Sequence, residues 1–131
     1  MATVSLLSDE AAGPEARAVF DEIRAARQTD YVNNFWRALA HDPALLRATW
    51  DRLKGVMAPG ALDPLVKEML YVAVSTANGC EYCVHSHTAA ARAKGMSDEM
   101  YGELLAVIGM AMQTNGIVTG LQVPVDEVFQ A

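Results

Sequence analysis

Two Asp-Pro pairs, Asp42-Pro43 and Asp63-Pro64, set the phase of this chain. An N-cap aspartate accepts a hydrogen bond from the free backbone N–H groups of a first helical turn. Proline just after it fixes a helical φ where no N–H is needed. Each pair therefore starts a helix. Pro14, with Glu15 beside it at the positive end of a helix dipole, marks another start. Between these signals apolar residues recur at the spacing that lines one helical face. Ala18, Val19, Ile23 and Ala26 predict an amphipathic helix over about 14–28. A polar loop from Gln28 to Asn34 follows, then Phe35, Trp36, Leu39 and Ala40 form a short helix. Leu45, Leu46, Trp50 and Leu53 extend the Asp42 helix to near Ala58, where Pro59-Gly60 breaks it. Leu65, Met69, Leu70, Val72 and Ala73 extend the Asp63 helix to Asn78-Gly79. That helix is apolar around much of its circumference, which predicts a central position.

Another helix is expected from about Glu81 to Lys94, stopped by Gly95. Ser97 caps the next, with Asp98 and Glu99 in its first turn. Asn115-Gly116 would end it by the ordinary rule. Ile117, Val118 and Leu121 keep the period, so helix is expected to about Leu121, and Pro124 marks the tail. No strand-like alternation and no internal repeat is visible. The expectation is an all-α fold of six or seven helices joined by short turns.

A length of 131 residues suits one domain, 1–131, with a substantial core. Hydrophobic residues make up 52% and charged residues 20%, an apolar balance that leaves surface for a homo-oligomer. Sixteen acidic against ten basic residues give a net charge of -6 with no Lys/Arg cluster, which argues against nucleic acid as a partner. Met1 to Gly13 lacks the features of a signal peptide, and no uninterrupted apolar run reaches membrane-spanning length. A cytoplasmic protein with no membrane partner is expected. In that compartment the two cysteines, three residues apart, point to redox chemistry or a metal site rather than a structural framework.

The chemistry concentrates in Gly79-Cys80-Glu81-Tyr82-Cys83-Val84-His85-Ser86-His87. Cys80 and Cys83 bracket the first turn of a helix, where unpaired N–H groups and the dipole favour a thiolate, the nucleophilic form. Cysteines at this spacing also close a disulfide with little backbone movement. His87 lies four residues after Cys83, on the same face, where an imidazole can take the thiol proton directly or through a water. Glu68 is eleven residues before Gly79, and His87 eight after it. In an antiparallel helix pair the two differ by only about 4–5 Å in level, at about 1.5 Å per residue. A carboxylate behind an imidazole fixes its tautomer and raises its basicity. The expected relay runs Glu68, His87, Cys83, with Cys80 resolving the oxidised Cys83 into a disulfide. The alternative is a non-enzymatic module that senses oxidant, or that holds zinc through Cys80, Cys83, His87 and His85 or Glu68. His85 points off the shared face and reads as solvated surface, and His41 as a turn residue. Tyr82, Phe35, Trp36 and Trp50 suit a pocket wall or, more commonly, core.

Glu68, Cys80, Cys83, His87 and the Gly95 that closes their helix, at these spacings, resemble the alkylhydroperoxidase D (AhpD)-like, carboxymuconolactone decarboxylase superfamily. The motif region spans about Leu62 to Ser97. Weaker likeness at Asn34-Phe35, Asp42-Pro43 and Val123-Pro124 extends it over most of the chain. The resemblance implies an AhpD-like helical bundle that assembles as a trimer, hexamer or dimer. It implies a peroxidatic Cys83, a resolving Cys80, and Glu68 and His87 as proton relay. It also implies a small organic hydroperoxide or hydrogen peroxide as substrate, a dithiol reductant, an antioxidant role and no bound cofactor. The decarboxylase branch typically lacks the cysteine pair, so its presence favours the redox branch. One position departs: the peroxidase branch has histidine directly before its second cysteine, where this chain has Tyr82.

Overall fold

The computed structural model of the chain describes residues 1–130. Among these residues there are six α-helices: α1 (Pro14–Arg27), α2 (Asn34–Leu39), α3 (Pro43–Met57), α4 (Pro64–Ala77), α5 (Glu81–Ala93) and α6 (Asp98–Leu121). A single 3-10 turn, Glu127–Phe129, lies in the tail, which sequence periodicity leaves without structure. The predicted starts hold. Asp42 accepts from the Leu45 N–H at 3.0 Å, Asp63 from Leu65 at 2.8 Å and Ser97 from Met100 at 3.1 Å. The chain divides into two compact units, the first ending at Ala58 and the second beginning at Pro59.

In the first unit, α1 and α2 each pack on α3. Phe20, Ile23, Val32, Trp36 and Leu46 are fully buried at the centre, and Trp36 meets Trp50 edge to face at 5.5 Å. Arg24 and Arg37 both bond Asp9, and Arg37 Nη1 also donates to the Leu7 carbonyl at 2.8 Å. These bonds tie the segment before α1 to the helices.

In the second unit, α4 and α5 form an antiparallel hairpin and α6 packs on α4. The reversal depends on Gly79, at φ +67°, a left-handed conformation that glycine adopts without a Cβ penalty. It lets the Cys80 N–H return to the Ser75 carbonyl at 2.9 Å. Gly95, at φ +103°, ends α5 in the same way. One expectation changes. α4 is covered on one face only: Glu68, Val72 and Ser75 are buried, while Val66, Leu70 and Val74 are exposed. α6 runs through Asn115-Gly116 as the period predicts, yet Ile108 is its one buried residue. By length and composition alone α6 is apolar enough to cross a membrane. Gln113, Thr114 and Asn115 interrupt its apolar run, which is why the sequence shows no unbroken run of that length.

Candidate active site

The Asp63-Pro64 start sets the phase of α4 so that Glu68, Val72 and Ser75 fall on its buried face. Cys80 is the N-cap of α5, and its Sγ accepts the Cys83 N–H at 3.3 Å. The helix N-terminus thus acts directly on the Cys80 sulfur, a refinement of the expectation that it favours either thiolate. Cys80 and Cys83 are joined in a disulfide, with Cα atoms 5.3 Å apart. His87 follows Cys83 by one turn of α5, and Lys94 caps the far end of the same helix.

Glu68 stands at the centre of the polar contacts. Its side chain is only 7% exposed, and its two oxygens are used separately. Oε2 is 2.7 Å from His87 Nδ1, and Oε1 accepts from Lys94 Nζ at 2.9 Å. Burial alone pushes the Glu68 carboxyl up. The hydrogen bonds from His87 and Lys94, together with the Lys94 charge, outweigh that and hold it below its ordinary value, so it is ionised at neutral pH. An ionised carboxylate only accepts, so His87 Nδ1 must carry a hydrogen. In the neutral imidazole the lone pair then lies on Nε2. The Tyr71 ring stacks on the imidazole at 3.6 Å between centroids, with an interplanar angle of 16°. Carboxylate and phenol ring together fix the His87 orientation.

The structure thus brings Glu68 to His87 and Cys80 to Cys83. Helix α5 links the two pairs, and among the described residues no hydrogen bond joins His87 to either sulfur in this disulfide state. Sequence reasoning did not single out Lys94 or Tyr71 for the site. The signals were present: Lys94 is two turns past His87 on the same face, and Tyr71 is one turn past Glu68. His85 borders an open groove of about 290 Å³ with Thr76, Val84, Tyr101 and Leu105, apart from the Glu68–His87 pair. His41 bonds the Ser5 carbonyl at 2.8 Å in a turn. Trp36 and Trp50 are core of the first unit, whereas Phe35 and Tyr82 are exposed. Among the described residues no three His, Cys, Asp or Glu side chains are grouped to hold a metal ion.

Comparison with known proteins sets this geometry among relatives. Residues 43–126 match the carboxymuconolactone decarboxylase family. The chain is 32% identical to a protein named alkyl hydroperoxide reductase AhpD from Solibacter usitatus, over 95% of this chain and 70% of that protein. It is also 32% identical to an uncharacterised protein of Cupriavidus necator, over 58% of this chain and 68% of that one. Among solved structures, the alkylhydroperoxidase AhpD core from Rhodospirillum rubrum superposes with a TM-score of 0.96 at 61% identity, covering 100% of this chain and 98% of that one.

Proposed function

The chain belongs to the carboxymuconolactone decarboxylase family and has an AhpD-like fold, and on that footing we propose that it is a thiol-dependent alkylhydroperoxidase with an antioxidant role. The observation that carries the reading is a Cys80–Cys83 disulfide at the start of the helix that also bears a histidine oriented by a buried carboxylate. In the reduced enzyme His87 Nε2 takes the Cys83 thiol proton. The Cys83 thiolate attacks one oxygen of a hydroperoxide, the O–O bond breaks, and the leaving alkoxide receives the proton from His87. Products are an alcohol, or water from hydrogen peroxide, and a Cys83 sulfenic acid. The Cys80 sulfur, favoured as thiolate by the Cys83 N–H, attacks the sulfenic sulfur and closes the disulfide, and the departing hydroxide takes up the proton that the Cys80 thiol gave up and leaves as water. A dithiol reductant returns the pair to thiols and is itself oxidised to a disulfide. Glu68 stays ionised throughout and holds His87 in the reactive tautomer. The proposal includes a homo-oligomer, because a net charge of -6 coexists with the exposed apolar surface of α6, and it keeps the cytoplasmic location expected from the sequence.

The test is consumption of an organic hydroperoxide by pre-reduced protein with dithiothreitol as donor. Turnover is expected, with a loss of at least about a thousandfold in Cys83→Ser, since the nucleophile is gone. In Cys80→Ser a sulfenic acid should accumulate at Cys83 and be trapped by dimedone. Oxidation of the pair without turnover would overturn the enzyme reading in favour of a redox sensor.

A further inference from the structure

We infer that Lys94 is a positioning residue of the site, holding the second oxygen of Glu68 so that the carboxylate's charge is matched by a lysine and His87 is left to act as a neutral base. The geometry carries this. Glu68 is nearly buried and has two partners: His87 Nδ1 at 2.7 Å on Oε2 and Lys94 Nζ at 2.9 Å on Oε1. One partner lies on α5 and the other at its C-cap. No hydrogen bond or ion pair reaches Glu68 from α6, which also packs on α4, among the described residues. A buried carboxylate needs a compensating positive charge. A doubly protonated His87 would supply one, but it would have no lone pair for a thiol proton. Lys94 supplies that charge from the opposite side, so a neutral imidazole suffices on Oε2. The bond also closes a loop from Glu68 through His87, along two turns of α5 and back through Lys94, which fixes the rotation of the carboxylate plane. A C-cap lysine reaches back this far because helical side chains lean toward the N-terminus. Its own N–H caps α5 through the Ala90 and Ala91 carbonyls, a contact any side chain preserves.

The step that Lys94 serves rests on the peroxidase reading, whereas its hold on Glu68 does not, and the experiment separates the two. Full-length wild type, Lys94→Met and Lys94→Arg are compared by three measurements. These are carboxyl titration of Glu68 by NMR, the pH profile of thiol alkylation by iodoacetamide in reduced protein, and the pH profile of hydroperoxide turnover. Lys94→Met should move the Glu68 titration upward, displace the alkylation profile and lower turnover at neutral pH roughly tenfold, the scale of losing a residue that orients a reactive group. Lys94→Arg should restore all three. If wild type shows no turnover but Lys94→Met still displaces the titration and alkylation profiles, the peroxidase reading falls and the role of Lys94 stands. Profiles in Lys94→Met that overlay wild type, with or without a lower melting temperature, would overturn it. So would an equal loss in the methionine and arginine variants.

Discussion

Glu68 shows how a residue that is costly to bury becomes useful. Taken alone, a carboxylate on a side chain only 7% exposed in an apolar helix would tend to protonate. His87 and Lys94 reverse that tendency, and the consequence for stability has a definite sign. The folded carboxyl titrates below its ordinary value of 4.5, so its contribution is complete above that pH and is lost as pH falls through the lower folded value. Glu68→Gln should therefore lower unfolding free energy by about 1.5–2 kcal/mol at neutral pH, the lower part of the range for bonds to charged groups because Lys94 is partly solvated. Urea titrations of both proteins at several pH values would show that gap narrowing below pH 4.5. A gap independent of pH would mean that the carboxylate is not held ionised by the fold. At this scale the sequence was a good guide to Glu68 and His87, because spacing within a hairpin translates directly into level along the helix axes. It was a poor guide to Lys94. A terminal lysine next to a stop glycine looks like an ordinary solvated helix end, and only the position of the Glu68 oxygens gives it a task.

Helix starts in this chain are written by local chemistry, and local chemistry survives folding. Asp42, Asp63 and Ser97 each accept an N–H bond of the turn they begin. Replacing Asp42 by alanine should cost about 1 kcal/mol, the ordinary worth of an N-cap, read as a lower urea midpoint with an unchanged m-value. The stops are less local. Asn115-Gly116 is an adequate C-terminal signal that α6 ignores, since the residues beyond it keep a helical conformation as far as a left-handed Gln122 at φ 50°. The reversal between α4 and α5 sits between these cases. Gly79 fixes where it happens, but the pairing of the two helices is what brings His87 to a carboxylate nineteen residues upstream.

For the whole molecule, the apolar surface is the outstanding feature. Val107 is 66% exposed, Met110 59% and Leu121 70%, all on the long apolar helix α6. Apolar surface of this extent is what the proposed homo-oligomer would cover. Sedimentation of the reduced protein at micromolar concentration should give a mass well above the 14.1 kDa chain. Val107→Glu together with Leu121→Glu should return it toward that value. A wild-type monomer under these conditions would remove the oligomer from the proposal.

Sequence by itself determined the helices and where they start, because caps, prolines and apolar period act within a turn or two of the residues that carry them. It determined the cysteine pair and its helix start for the same reason. Tertiary structure decided what depends on residues far apart in the chain meeting at atomic distance. That includes which oxygen of Glu68 faces His87, that Lys94 takes the other and that Tyr71 stacks on the imidazole. It also decided that the apolar circumference of α4 is covered on one face only. A helical period fixes the direction of a side chain from its axis, but contacts between helices depend on how those axes are packed, and packing is a property of the folded whole.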